Sequence, residues 1–501
     1  MGKLLTSCLV LMLAVPVLAD EGMWLPNQLP MIGQALEAAG LDTPPADFAD
    51  LTGDPMGAIV SLGGCSASFV SKQGLVATNH HCAYGTIQFN STPEKNLLEN
   101  GFVARSPEDE LQAAPGARVY VTLAVSGVTD EILAKVPDDA DGAARFSAIE
   151  NAEKELIAGC EKSPGHRCRV ASFHGGLQFR LYDQLEIRDV RLAYAPPSSI
   201  GKYGGDIDNW MWPRHTGDFS IYRAYVGPDG LPAEPSPDNV PFQPKHWLQI
   251  GRDGVDVGDF VMVVGFPGRT NRYRLASEVD EVITWSYPRR IKRYQEMLDI
   301  IARETEGRTE AQIAYAGLIS GLNNGLKNNQ GMLAGFAHSK SVQRKQALEV
   351  ELAAWIAADP EREARWGAAV SELESILDKQ RDHRERDEAL SSIKWNQLLS
   401  TTSRAYRLAR ESEKPNTERK MGYQERDLPR IRARIERSAR TYDAQVDMAL
   451  LRRALERYAE LPASERVPAL DDWFGLDGEL ETAEAIAGTL HSMYMTTDLA
   501  D

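Results

Sequence analysis

The sequence lacks three features that would place it in familiar structural classes. It has no excess of basic residues: 72 Asp and Glu outnumber 55 Lys and Arg, and the net charge is -17. This argues against a nucleic-acid partner, because phosphate binding requires concentrated positive charge. Outside Leu9–Leu18 no apolar run approaches the roughly 20 residues of a membrane span. It also has no internal repeat and no low-complexity tract, and its 43% hydrophobic content suffices for two or three folded domains.

Residues 1–19 have the pattern of a cleaved export signal. Lys3 precedes the apolar run Leu9–Leu18, and small residues precede the expected cleavage site after Ala19. Cys8 lies ahead of the apolar run, too early for lipidation. We therefore expect a periplasmic or otherwise exported protein that has no membrane contact once the signal is removed.

Removal of the signal leaves an even number of cysteines. In an exported chain an even number predicts two disulfides. The four residues are Cys65, Cys82, Cys160 and Cys168. The last two would close a small loop.

A hairpin pattern lies between the first two of these cysteines. Two short apolar strands, Ala67–Val70 and Leu75–Thr78, are joined by a Lys-Gln-Gly turn and followed closely by His81. If the strands pair, Cys65 and Cys82 come near enough for a disulfide. That bond would hold the histidine rigidly at the strand end, which suits a catalytic base.

The chain changes character once along its length. Short β-rich runs separated by turns, typical of a small barrel or sandwich, extend to about residue 275 and include a predicted buried strand at Val257–Phe266. An amphipathic helix pattern occurs within residues 130–159. From about Ala276 long helical patterns follow, such as the one from Ile431 to Leu450. The change near 276 is the predicted domain boundary.

Two residues fit parts of a hydrolytic site. Nucleophilic hydrolysis needs a base that works near neutral pH, an acid that orients the base, and a serine or cysteine beside oxyanion donors. His81 is the candidate base, and Asp218, which opens a hydrophobic strand, is the candidate orienting acid. Taken singly, such a histidine or aspartate is more often structural. Their combination with the paired Cys82 favours catalysis.

Three segments resemble chymotrypsin-fold serine proteases. Thr78–Cys82, TNHHC, is similar to the T-A-A-H-C signature of those enzymes, and Cys65 stands where they place its disulfide partner. Gly217–Arg223 resembles their aspartate-containing strand. Val257–Val261 resembles the first strand of their second barrel.

The closer resemblance is to the bacterial serine dipeptidyl-peptidases of the dipeptidyl-peptidase 7 and 11 type. That family has the doubled histidine, the run GGDIDNWMWPRHTGDF found here at 204–219, and the Val264–Gly268 turn. The resemblance implies a mixed β and α fold: a chymotrypsin-like double β-barrel, incomplete in its second barrel, with a large inserted α-helical domain. The implied units are the signal 1–19, the catalytic β-barrel portion 20–275, and the truncated helical insertion 276–501.

The resemblance also implies a serine-type dipeptidyl-peptidase that releases dipeptides from the free amino terminus of peptides. Its catalytic histidine and aspartate fall on His81 and Asp218, and its anchors for the substrate amino group fall on Asn209 and Trp210. An amide oxygen accepts hydrogen bonds from an ammonium and an indole face attracts a cation, which fits these roles. For Trp210 and Trp212 ordinary core packing is the competing interpretation.

The nucleophile of that family lies in a Gly-Asn-Ser-Gly-Ser-Pro turn, and this motif does not occur in the sequence. Ser320, within Gly317–Gly321, lies in helical sequence with the wrong spacing and is rejected. We therefore expect an amino-terminal portion of a longer protein or a truncated product, without peptidase activity as it stands, because the base has no proton to take. Family members are often dimers, so a homodimer is a further expectation.

Two other functions fit parts of the pattern. A non-catalytic peptide-binding protein would keep the amino-terminus pocket and need no nucleophile. A metal site of His80, His81 and a cysteine is disfavoured, because adjacent strand residues point to opposite faces and a disulfide would consume Cys82. His80 is instead expected to pack behind the base. No metal ion and no cofactor are therefore predicted.

Overall fold

The computed structural model describes residues 23–268, 271, 273–476, 478 and 481–496. The predicted export signal at residues 1–19 lies outside these residues. Within them, a β-sheet occupies the first half of the chain and helices follow from Ala276 onward. The fold is therefore mixed β and α with a helical domain.

Among the described residues, eleven strands form one antiparallel sheet. Their bounds are β1 Ile59–Ser61, β2 Ser66–Phe69, β3 Leu75–Thr78, β4 Phe102–Val103, β5 Leu111–Gln112, β6 Val119–Gly127, β7 His166–Phe173, β8 Gln178–Ile187, β9 Asp189–Ala195, β10 Ser220–Val226 and β11 Val240–Pro241. The order across the sheet is β4-β9-β10-β3-β2-β1-β6-β8-β7, with β5 paired to β9 and β11 paired to β10. The β2–β3 hairpin thus lies at the centre of the sheet.

The sheet curls around one apolar core. Alternate residues of β2 and β3 point inward, so that Phe69 and Val76 are fully buried. They share one cluster with Val119 of β6 and Leu192 of β9, although these strands are far apart in the sheet order. Each fully buried side chain of this kind contributes about 1.5–3 kcal/mol.

Helices flank the sheet and make up the second half of the chain. Their bounds are α1 Gly33–Ala38, α2 His80–Phe89, α3 Leu97–Asn100, α4 Thr129–Leu133, α5 Gly142–Cys160, α6 Ser198–Gly201, α7 Ala276–Glu281, α8 Tyr287–Glu304, α9 Thr309–His338, α10 Ser341–Ala357, α11 Pro360–Trp366, α12 Ala369–Lys394, α13 Gln397–Ser412, α14 Leu428–Arg440, α15 Ala444–Ala459, α16 Pro468–Phe474 and α17 Thr482–Thr496. A π-helical turn, Val282–Ser286, joins α7 to α8. In the described part of the chain no helix combines the length and apolar character that a bilayer crossing requires.

The segment after β3 differs from the prediction of a histidine at a strand end. A helix, α2, begins at His80, so His81 lies in its first turn. Asn79 takes the extended conformation of a helix N-cap, and its carbonyl oxygen accepts hydrogen bonds from the N–H groups of Cys82 and Ala83. The Asn79 side chain makes no capping bond, and one of the first helical N–H groups, that of His81, donates to Asp218 Oδ1 instead.

The predicted buried strand at Val257–Phe266 is wrong. These residues form no strand, and the side chains of Val257 and Val263 are fully exposed. A strand is stable only when a neighbour pairs with it, and no described strand lies beside this segment. Its end is tied to the sheet where the Phe266 N–H donates to Ser66 Oγ at 2.6 Å. A second barrel is therefore not seen among the described residues.

The long helical pattern from Ile431 to Leu450 is two helices rather than one. The first ends at Arg440, and the second begins after Asp443. The Asp443 side chain accepts a hydrogen bond from the Val446 N–H and so caps the second helix. The apolar spacing continues across the break, and the capping residue Asp443 marks it.

Candidate active site

A disulfide attaches the start of α2 to the sheet. Cys65, just before β2, is bonded to Cys82 in the first turn of α2, with Cα atoms 6.2 Å apart. The second predicted disulfide is also present and joins Cys160 at the end of α5 to Cys168 in β7. The helix turn that contains His81 is therefore covalently held against the central hairpin.

His81 and Asp218 are hydrogen-bonded to each other through two donors. The His81 ring Nδ1 lies 2.7 Å from Asp218 Oδ2, and the His81 backbone N–H donates to Oδ1 at 3.0 Å. The pairing of β10 with β3 brings the two residues together, since Ser220 lies opposite Thr78 in the register. Residues 137 apart in the chain thus meet where β3 ends and β10 begins.

The short contact fixes the tautomer of the imidazole. An ionised carboxylate can only accept, so the proton between the two groups lies on His81 Nδ1 and leaves Nε2 as an acceptor. Burial alone would raise the pKa of Asp218, but the hydrogen bonds from the His81 side chain and backbone outweigh it, and the pKa lies below its usual value. The His81 side chain is 62% exposed. This geometry matches the one expected for a base and an orienting acid.

His80 is buried behind His81. Its ring meets Tyr84 edge to face with centroids 5.9 Å apart, and its Nδ1 lies 3.4 Å from Ser220 Oγ. It also abuts Gly201, where a Cβ atom would lie 2.7 Å from the ring. Burial lowers the pKa of His80 although the nearby Asp218 opposes the shift, so the ring packs as a neutral group.

The alternative of a metal site near His81 meets a chemical obstacle. The potential ligand atoms of Cys65, His81 and Cys82 lie within 4.8 Å of one another. Both sulfur atoms are joined in a disulfide and so are not thiolate ligands. His80 and His81 do face different surroundings, but as successive residues of a helix, so the expected strand alternation is wrong.

The residues expected to hold a substrate amino group lie on a loop that contacts α9. Asn209 Nδ2 donates to Asn324 Oδ1 at 3.0 Å, and Trp210 Nε1 donates to the same oxygen at 3.1 Å and to the Asn324 carbonyl at 3.2 Å. Trp210 has a positive φ of 59°. The side chains of Trp210 and Trp212 are 59% and 93% exposed, so core packing is wrong for both.

Three further contacts fix this loop. Arg214 Nη1 donates to Asn209 Oδ1 at 2.9 Å, and Asn323 Nδ2 donates to Asp206 Oδ2 at 2.8 Å. At its base the Gly217 N–H donates to the Ile200 carbonyl at 2.9 Å. The loop therefore runs from the end of α6 to Asp218 as a closed unit.

Sequence reasoning missed the part of α9 that faces this loop. Asn323 and Asn324 are both poor helix formers in the middle of a long helix, and this was the available signal. Ser320, the rejected nucleophile, also lies on this face, where its Oγ accepts a hydrogen bond from Lys202 Nζ at 3.2 Å. Among the described residues the His81 ring has Asp218 as its hydrogen-bond partner and no serine.

Comparisons with known proteins agree with this architecture. The sequence profile of the Peptidase S46 family matches residues 19–501. An Asp/Glu-specific dipeptidyl-peptidase of Shewanella putrefaciens is 43% identical over 482 residues, which cover 96% of this chain and 65% of that protein. A dipeptidyl-peptidase 7 of Capnocytophaga gingivalis is 36% identical over 384 residues, covering 75% of this chain and 53% of the relative.

A solved structure is similar over nearly the whole chain. The crystal structure of Porphyromonas endodontalis DPP11 in complex with the dipeptide Arg-Glu superimposes with a TM-score of 0.78 and 30% sequence identity, covering 96% of this chain and 69% of that one. The chain spans about half to two thirds of the length of these curated relatives, 53% and 65% for the two named above. The matched profile and the identity to the Shewanella protein show that the chain belongs to the Peptidase S46 family.

Proposed function

We propose that this chain carries the histidine–aspartate part of a serine-type dipeptidyl-peptidase site together with the pocket for the free amino terminus of its peptide substrate. The observation that carries the proposal is the contact of His81 Nδ1 with Asp218 Oδ2 at 2.7 Å, with a second bond from the His81 backbone. Relatives named as dipeptidyl-peptidases support the reaction class.

The proposed chemistry follows from the tautomer of His81. Its Nε2 accepts the proton of a serine hydroxyl as that oxygen attacks the peptide carbonyl, and Asp218 stabilises the imidazolium that forms. The imidazolium then returns the proton to the departing amine, and a water molecule that gives its proton to Nε2 hydrolyses the acyl group from the serine. We propose that the serine lies outside this sequence, since the family turn Gly-Asn-Ser-Gly-Ser-Pro is absent from it. The 501-residue chain alone is then inactive.

The proposed amino-terminus pocket lies between the loop and α9. Asn209 Oδ1 is the acceptor for a substrate ammonium, and the exposed face of Trp210 adds a cation–π contact. Asn324 Oδ1 already accepts from Asn209 and Trp210 and holds these two side chains in place. Asp206 lies on the same loop and contributes negative charge. Arg214 already donates to Asn209 Oδ1, so an ammonium uses the second lone pair of that oxygen or displaces the guanidinium.

The wall formed by α9 gives the pocket an end. A peptide whose amino group reaches this wall cannot extend beyond it, so cleavage at His81 releases short amino-terminal pieces, which are dipeptides in the named relatives.

We further propose that the protein is exported. Two disulfides support this, because such bonds persist in oxidising compartments.

Binding and turnover measured on the same chain test the proposal. Calorimetry should detect a tripeptide with a free amino group, and N-acetylation of the peptide should abolish the heat signal. Asn209→Leu should weaken binding by about tenfold or more, as expected for loss of a hydrogen bond to a charged group. Asn100→Leu, in helix α3 and outside the loop, is the matched control and should bind as the unmodified chain does.

Two outcomes would contradict the proposal. Equal affinity for the free and acetylated peptides would remove the amino-terminus pocket. Turnover of fluorogenic dipeptidyl substrates by the 501-residue chain, retained in a Ser320→Ala variant, would show that some other residue of the sequence serves as the nucleophile.

A further inference from the structure

Asn79, the residue before α2, has a side chain directed at Asp218. Its Nδ2 lies 3.3 Å from Asp218 Oδ2 and 3.3 Å from the Asp218 backbone oxygen. The same Oδ2 accepts the hydrogen bond from His81 Nδ1 at 2.7 Å. One amide group therefore touches both the carboxylate and the backbone of the orienting acid.

This orientation departs from the usual role of asparagine at a helix start. An N-cap side chain normally accepts a hydrogen bond from the second or third helical N–H. Asn79 occupies the N-cap of α2, but its side chain makes no such bond. Its amide is instead turned toward Asp218, so the usual gain in helix stability is not the reason for its conformation.

The dyad needs such a contact because packing alone does not hold it. The side chains of His81 and Asp218 are 62% and 24% exposed. The terminal torsion of an aspartate is broad, so an unrestrained carboxylate samples many orientations. Donors at both oxygens, the His81 backbone N–H at Oδ1 and the Asn79 amide at Oδ2, fix its plane. An amide does this without a charge and without titrating.

We infer that Asn79 is a positioning residue for the dyad, which holds the Asp218 carboxylate with Oδ2 facing His81 Nδ1. The catalytic meaning of this assignment rests on the proposed function, whereas the orientation itself is a property of this chain. Loss of the amide leaves each carboxylate oxygen with a single donor, both from His81, so the carboxylate is held less firmly and the bond that fixes the imidazole tautomer weakens.

The test observes the His81 ring proton directly and needs no enzymatic turnover. In ¹⁵N-histidine-labelled chain, a downfield proton bonded to Nδ1 should be visible, and its absence in His81→Gln assigns it. Asn79→Ser keeps an N-cap acceptor for α2, but the side chain is one bond shorter and falls out of reach of Asp218. In this variant the resonance should move upfield and its exchange with water should quicken by about tenfold, as for loss of one hydrogen bond.

A matched control lies at the other end of the same helix. Asn90 Nδ2 makes two hydrogen bonds of 3.0 Å, to Thr86 and Gln112 carbonyls. Asn90→Ser removes a comparable amide and should leave the His81 resonance unchanged. Asn79→Asp keeps the shape, removes the donor and adds a negative charge that repels Asp218, so the resonance should again move upfield.

The inference is overturned if the resonance of Asn79→Ser keeps its position and exchange rate. It is also overturned if Asn79→Ser and Asn79→Asp both unfold, because the residue would then be structural. A chain in which the resonance responds to Asn79 as expected, but which binds no free-amino peptide, would count against the proposed function and leave this inference standing.

Discussion

The adjacent histidines at the start of α2 differ in their access to solvent, and this difference separates their chemistry. His80 is fully buried, whereas the His81 side chain is 62% exposed. Burial disfavours an imidazolium, so the pKa of His80 is lowered even though Asp218 is close enough to raise it. The exposed histidine can exchange protons with a reactant, while the buried one supports Gly201 at the base of the loop.

We predict that His80→Gln makes stability less sensitive to acid. The ordinary pKa of 6.5 applies in the unfolded chain, and the folded value is lower. Below about pH 6.5 the unfolded chain therefore binds more protons, and the contribution of His80 is lost as the pH falls through its folded pKa. Urea midpoints measured at falling pH should decline less steeply in His80→Gln than in the unmodified protein.

The control for this prediction is His383, whose side chain on α12 is 50% exposed. His383→Gln should follow the pH profile of the unmodified protein. Parallel acid limbs in all three proteins would refute burial of His80 as the source of the pH dependence.

At the scale of elements, the local sequence pattern predicted some strands and helices correctly and others wrongly. Leu75–Thr78 was predicted as a strand and is one in the structure, because its alternate side chains face one core. Val257–Phe266 has similar composition and is not a strand, since pairing depends on a neighbour that composition does not reveal. The break before Asp443 was missed because helical periodicity outweighed a capping signal.

The candidate site was predictable only where a motif recorded it. His81 and Asp218 belong to segments with a recognisable pattern, and the structure brings their side chains within hydrogen-bonding distance. Asn324 has no motif. Its position against Trp210 follows from how α9 packs on a distant loop, which periodicity within α9 cannot specify.

The disulfide at the start of α2 attaches this helix to the central hairpin. We predict that the double variant Cys65→Ser/Cys82→Ser lowers the free energy of unfolding by about 3 kcal/mol, the value expected for loss of a cross-link near this length. The cross-link spans 17 residues. Amide exchange in residues 80–89 should also quicken, because the first turn of α2 loses its attachment to the hairpin.

The second disulfide is the matched control. Cys160→Ser/Cys168→Ser removes a cross-link that spans 8 residues. It should lower stability by a similar amount, since the dependence on loop length is weak, but leave exchange in α2 unchanged. Equal exchange rates for α2 in the two double variants would contradict the proposed local role.

At the scale of the whole molecule, buried charges join the helical domain to the sheet. Arg167 of β7 pairs with Asp427 at 2.6 Å, and Arg426 pairs with Glu161 at 2.7 Å. Arg426 also donates to the Cys168 carbonyl at 2.8 Å. Because Asp427 is 4% exposed, its charge depends on the pairing with Arg167 for stabilisation.

We predict that Arg167→Met lowers the free energy of unfolding by about 3 kcal/mol, because it removes one partner of a buried carboxylate. Arg430, which is half exposed, remains 3.2 Å from Asp427 and limits the loss. The urea midpoint measures the change. Arg410→Met, which breaks a surface pair with Glu413, should shift it little. Equal shifts in the two variants would show that the buried network does not stabilise the domain contact.

The loop between Ile200 and Gly217 has a consequence for the length of the product. Its base is closed by the Gly217 N–H and the Ile200 carbonyl, its middle is held on α9 through Asn209, and Asp218 follows its last residue. Under the proposed function, one covalent segment then sets the span from the ammonium seat to the imidazole. Such a segment fixes the distance from the bound amino group to the cleaved bond, so the number of residues released is constant whatever their side chains.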